Sequence, residues 1–284
     1  MSTTGEQDIA MSDLIEAHAR HLRASGHPEK TTIRGRVQII RRLHDDLPYG
    51  LCYASTEELT DWLGANEHWS QWTRATYAMH IRGFYSWADG RYLDGDPSAE
   101  MAKPKVPDCV PNPVTEEELA YALTHSPDPW QTAILLAAFA GLRASECARL
   151  RRENVTEDTI RIEVAKGGSP ASVETHPLIW EQVNGRPRGP LLRKPNGDPV
   201  TGAWLSARQR DHFNKLGQPD VHLHRFRHRY GTALLDGGAN LEVVRQALRH
   251  KRITSTQGYT LVRNGQRRMA IRSLPAPTQP PEEN

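Results

Sequence analysis

Apolar positions recur at helical spacing through the first third of the chain. MSDLIEAHARHLRAS and TTIRGRVQIIRRLHDDL both carry them, with Gly26 and Pro28 in the break between. STEELTDWLGAN opens with Ser55 and Glu58, the pair of a capping box. TRATYAMHIRGFYSWAD is a fourth amphipathic stretch, and no alternating strand pattern competes with these. The spacing predicts an N-terminal helical domain over residues 1–95. The pattern then stops. Pro97, Pro104, Pro107, Pro111 and Pro113 remove backbone donors and push each preceding residue out of the helical region. An extended linker over 96–114 is the expectation.

Periodicity resumes at Thr115, where Thr115 and Glu118 form a second capping box. Asp128-Pro129 opens the apolar helix WQTAILLAAFAG, and Gly141 is placed to close it. A short helix, ASECARLR, follows. TIRIEV alternates, turns at Lys166-Gly167-Gly168 and returns, the signature of a small hairpin. After a Pro- and Gly-rich stretch over 186–200, helices continue through TGAWLSARQRDHFNKLG, HRFRHRYGTALLDGG and LEVVRQALR. TLVRNGQRRMAIRSL is helical in character. The second domain is therefore expected over 115–272, with a disordered Pro-rich tail at 273–284. The fold class is mainly α with a small antiparallel β-sheet.

Composition narrows the class. Of 284 residues 37% are hydrophobic and 25% charged, which suits a soluble protein with a core. No apolar run approaches the roughly 20 residues of a membrane helix. The N-terminus shows no basic region followed by an apolar one, so no signal peptide is visible. Cys52, Cys109 and Cys147 are too few and too scattered for a disulfide framework or a cysteine zinc site, which makes a reducing cytoplasm the expectation. Net charge is only +2, but residues 201–260 hold ten Lys or Arg against four Asp or Glu. A basic face of that kind suits a phosphate binder, although a solvated helix face has the same composition.

The candidate chemistry lies in that basic stretch and just upstream of it. Arg143, Lys166, His224, Arg227, His250 and Tyr259 follow one another in order. Planar, permanently charged arginines can hold the non-bridging oxygens of a phosphate through paired hydrogen bonds. His224 and Arg227 lie three apart on one helix and so share a face. The histidines can donate or accept protons near neutral pH. Tyr259 supplies a phenol that can attack phosphorus once cations or a base activate it. Lys166, at a hairpin tip, could protonate a leaving 5′ oxygen. Each has a plainer reading: Arg143 as a helix cap, Lys166 as a solvated turn residue, His250 as a helix end, Tyr259 as a half-buried ring. His224 and His228 have a spacing that could hold zinc, but HRFRH lacks the glutamate of a zinc helix. Arg225 and Arg227 would also repel a dication. No metal or other cofactor is expected.

These residues together resemble the tyrosine recombinases, the phage-integrase and Xer-type family. AAFAGLRASECARLRRENV is similar to its first box, with Arg143 as the first catalytic arginine and Glu146 as its acidic companion. EVAKGGSPASVETHPL is similar to the hairpin that carries the catalytic lysine, here Lys166. HRFRHRYGTALLDGGANLEVVRQALRHKRITSTQGY is similar to the second box. His224, Arg227, His250 and the nucleophile Tyr259 fall on its catalytic positions. Two departures stand out: Arg249 occupies the glycine position of a Leu-Gly-His motif, and Arg229 replaces a small residue.

The resemblance implies a helical core-binding domain and an α+β catalytic domain closing as a C-shaped clamp around DNA. It implies recombination through a 3′-phosphotyrosine and a Holliday junction, with neither ATP nor metal. The partners implied are double-stranded attachment sites, a homo-tetramer on paired sites (a monomer or weak oligomer when free) and an accessory factor. The setting would be the cytoplasm of a bacterial host. A phage or mobile-element integrase of the simple kind, without an arm-binding domain, is the leading reading. An Xer-like dimer resolvase, a non-catalytic DNA-binding regulator and a type IB topoisomerase are the alternatives. Arg34, Arg41, Arg74 and Arg249 are further candidates for contacting DNA.

Overall fold

The computed structural model describes residues 11–107, 111–163 and 170–249. The chain divides into two compact units, Met1–Asp108 and Cys109–Asn284. Each has its own hydrophobic core.

In the first unit α1 spans Met11–Ala24, and a π-helical turn at Glu29–Ile33 leads into α2, Arg34–Asp46. Helix α3 is Thr56–Ala65 and α4 is Gln71–Ala88. The capping box foreseen at Ser55 is formed: Ser55 N–H donates to Glu58 Oε2 at 2.8 Å, and Glu58 N–H donates to Ser55 Oγ at 3.2 Å. The apolar stripes converge on one core built from Leu14, Ile15, Ile40, Leu43, Leu59, Ile81 and Phe84. Polar atoms on large rings find partners at its edge. Trp62 Nε1 donates to Asp46 Oδ2 at 2.8 Å, and Tyr85 Oη donates to the Leu51 carbonyl at 2.9 Å.

The second unit begins with α5, Glu116–His125, under the expected capping box at Thr115. Helix α6, Trp130–Ala140, is apolar on nearly every side, and a helix of that kind belongs in an interior. It is buried from Ala133 through Ala138. Helix α7 is Ala144–Arg149. Strands β1, Thr159–Ile162, and β2, Ala171–Glu174, pair antiparallel with Thr159 opposite Glu174 and Ile162 opposite Ala171. Their inward residues Ile160, Ile162 and Val173 join the core. Helix α8, Pro177–Val183, was not anticipated from the sequence. Pro177 stands at its first position and His176 Nδ1 caps it by accepting from Leu178 N–H at 3.2 Å. Helices α9, Gly202–Lys215, α10, Leu223–Asp236, and α11, Leu241–Ala247, complete the described residues. Helix α10 packs along α6, and α9 packs on α7.

The expected linker is built in at both ends. The Pro97 carbonyl accepts from Thr56 Oγ1 at 2.6 Å, and Met101 is buried in the first core. At the other end Val114 is buried in the second core, and the carbonyls of Asn112 and Pro113 accept from Arg225. The hairpin tip with Lys166, the segment with His250 and Tyr259, and the C-terminal tail lie outside the described residues.

Candidate active site

The site grows from the turn between α6 and α7. Gly141 ends α6 in the left-handed conformation, φ 61° and ψ 30°. Glycine adopts this without strain. Glycine is also required by packing, because a Cβ here would lie 2.5 Å from Tyr230 Cδ1. The chain then enters α7 through Arg143, which stands at the N-cap position with extended backbone. Its N–H donates to Glu146 Oε2 at 2.9 Å, and its Nη1 donates to Glu146 Oε1 at 3.0 Å. The plainer reading of Arg143 as a capping residue is thus seen in the structure, and the same cap holds its guanidinium against Glu146.

Glu146 is the electrostatic hub. Its side chain is 1% exposed, against 22% for Arg143. Burial alone would raise its pKa. The Arg143 N–H and the charges of Arg249, Arg143 and Arg227 outweigh that and hold the carboxyl below the usual range. Arg249 Nη2 donates to Glu146 Oε2 at 2.8 Å and to the Gly141 carbonyl at 3.0 Å. Arg227, on α10, donates through Nη1 to the same Gly141 carbonyl and through Nη2 to the Leu248 carbonyl. Its residue is 1% exposed. Three guanidiniums thus surround one carboxylate and one glycine carbonyl.

His224 lies one turn before Arg227 on α10 and faces solvent. It lines a cleft of about 280 Å³ together with Arg143, Ala144, Ser145, Ser206 and Gln209. Gln209 belongs to α9, and its Oε1 accepts from Leu223 N–H at 3.0 Å, fixing the start of α10. Arg143 and His224 are therefore brought to one opening. Arg227 is not on its wall. Of the two arginines expected to meet one phosphate, Arg143 lines this cleft, whereas Arg227 is turned inward to the Gly141 and Leu248 carbonyls. The rings of His224 and His228 lie 4.4 Å apart at 76°. Among the described residues no group of three or more His, Cys, Asp or Glu could hold a metal ion.

The remaining arginines divide. Arg34 and Arg41 are exposed on α2, seven residues and so about two turns apart. Arg74 is spent differently. Its guanidinium donates to the carbonyls of Leu63, Asn66 and Glu67, at 3.3, 3.0 and 3.3 Å, and so closes the end of α3. Arg249, also a candidate for DNA contact, is directed at Glu146. Arg229, the other departure from the family pattern, pairs with Glu116 at 2.9 Å and lies 5.0 Å over the Phe139 ring. It ties α10 to α5 and α6. Ser206 and Gln209 are cleft residues that sequence reading missed, and no motif marked them.

Comparison with known proteins decides the family. The family model described as the Phage integrase family matches residues 114–265, more than half of the chain. The chain belongs to the phage integrase family. It is a tyrosine recombinase, an enzyme of site-specific DNA recombination. Among its relatives, tyrosine recombinase XerD of Vibrio vulnificus is 31% identical over 223 residues, covering 69% of this chain and 72% of the relative. Tyrosine recombinase XerA of Pyrococcus horikoshii is 24% identical over 280 residues, covering 93% and 94%. In fold the chain is similar to the Tn1549 transposon integrase, solved in complex with a circular intermediate DNA. That likeness has a TM-score of 0.70 at 17% identity and covers 92% of this chain and 99% of the other.

Proposed function

We propose that this recombinase is the integrase of a phage or mobile element, cutting double-stranded attachment sites through Tyr259. The observation that carries the reading is the shared cleft. Arg143, held by Glu146, and His224 open onto one cleft roomy enough to admit a phosphate. Arg227 is one helical turn from His224, within reach of the same space if its carbonyl partners are exchanged for a phosphate.

In this reading the Tyr259 oxygen forms a bond to the scissile phosphorus as the bond to the 5′ oxygen breaks. The phenolic proton passes to a histidine, and Lys166 gives a proton to the departing 5′ oxygen, which leaves as a 5′ hydroxyl. Arg143 and Arg227 stabilise charge on the non-bridging oxygens. A 5′ hydroxyl of a partner duplex then attacks the 3′-phosphotyrosine and frees Tyr259. One phosphoester replaces another at each step, so the balance needs no ATP and no metal. Arg34 and Arg41 offer cations to the DNA backbone from the first unit. Two dimers on paired sites, formed from a monomer or weak oligomer, would supply the four tyrosines of a Holliday junction. An accessory factor would set direction, and the setting is the cytoplasm of a bacterial host.

The relatives named as Xer recombinases favour one second reading, a resolvase of replicon dimers. A plasmid assay separates the two. An integrase joins two unlike attachment sites, whereas a resolvase acts on two copies of one site. Recombination confined to identical sites would replace the integrase reading with the Xer-like one.

A further inference from the structure

Arg249 is the only residue other than glycine, among those described, with a positive φ, 53°. An L side chain adopts that conformation at an energetic cost that glycine avoids. The position directly follows Leu248, whose carbonyl is held by Arg227, and directly precedes His250. What the strained backbone permits is specific. Arg249 Nη1 returns to the Ala247 carbonyl at 3.2 Å, while Nη2 reaches across to the Gly141 carbonyl and Glu146 Oε2. Its side chain is 11% exposed, so the guanidinium is withdrawn from solvent.

We infer that Arg249 is a positioning residue for the cleavage step. This rests on the reading of Arg143 and Tyr259 given above. The residue does two things. It pins the end of α11, immediately before His250, to the turn that presents Arg143. It also takes up the Glu146 carboxylate charge, which otherwise offsets the Arg143 guanidinium that faces the cleft. With glycine here, Arg143 would carry its buried carboxylate with only Arg227 to offset it, and the phosphate would meet a weaker positive field.

The test uses the full chain and a nicked duplex carrying its recombination site, recovered by selecting duplexes that become covalently attached. Arg249→Gly relaxes the backbone, so the turn can still form, but it removes the arm. Single-turnover cleavage by saturating enzyme is expected to slow about tenfold or more, with the DNA dissociation constant within about twofold of wild type. Arg249→Lys keeps the charge and is expected to recover part of the rate. In a Glu146→Gln background the Arg249→Gly effect should shrink, since the carboxylate it serves is gone. An unchanged rate in Arg249→Gly overturns the inference alone. Weaker DNA binding with a shallower salt dependence overturns it in favour of a direct phosphate contact. A rate loss that tracks only a lowered melting temperature, equal in the glycine and lysine variants, overturns it in favour of a purely structural role. If wild type forms no covalent adduct, the tyrosine mechanism itself fails, and the positioning role falls with it.

Discussion

Gly141 concentrates three demands in one residue. Its φ of 61° suits glycine, the Tyr230 ring lies where a Cβ would stand, and its carbonyl collects Arg227 and Arg249. Gly141→Ala is therefore expected to destabilise the second unit by roughly 2–4 kcal/mol, through backbone strain and overpacking together. Denaturant unfolding checks this, and a wild-type midpoint would contradict it. The glycine itself was legible in the sequence as a helix terminator. Arg143 was legible as a helix cap, but Glu146 as its companion was legible only through the family resemblance. The directions of Arg74, Arg227 and Arg249 were not. Spacing places a guanidinium on a helix face, but the carbonyls it binds belong to segments far along the chain. Arg227 reaches Gly141, and Arg249 reaches Glu146, across about a hundred residues of sequence.

Helices carry a second kind of demand. On α1, His18 is 3% exposed, edge-on to Phe84 and close to Trp87. Its Nδ1 is buried without a hydrogen-bond partner. Burial pushes its pKa down to about 4, helped by the nearby positive fields of His21, Arg36 and His80. Burial lowers His80 as well, with Arg36 adding to it. The unfolded chain takes up a proton at the ordinary histidine value near 6.5, while folded His18 resists until about 4. Stability of the first unit should therefore be full above about pH 6.5 and fall as pH drops toward 4, by on the order of 2–3 kcal/mol. His212, stacked on Trp130 in the second unit, is also lowered to about 4 by burial, then by Lys215, and acts in the same direction there. His18→Phe should flatten the acid loss of the first unit, read as melting temperature against pH. A slope identical to wild type would remove His18 as its cause. The helices themselves were readable from their caps and stripes. Helix α8 was missed because its short, Pro-led sequence carries no stripe, and tertiary packing of Ile179 and Val183 stabilises it.

At the scale of the whole chain, two units with separate cores carry different parts of the problem. The first has Arg34 and Arg41 on an exposed helix face; the second gathers Glu146, Arg227 and Arg249 about the turn that carries Arg143 to the cleft it shares with His224. Family membership follows from the match over 114–265. What makes the chain a catalyst in this account is one phenol in the segment beyond Arg249. That claim is tested most directly by trapping the protein on a nicked suicide substrate, digesting the adduct and sequencing the peptide that carries DNA. The expected result is a single modified peptide with the 3′ phosphate on Tyr259, and no adduct from Tyr259→Phe although that variant still binds the duplex. DNA attached to any other residue, or an adduct that persists in Tyr259→Phe, would contradict it.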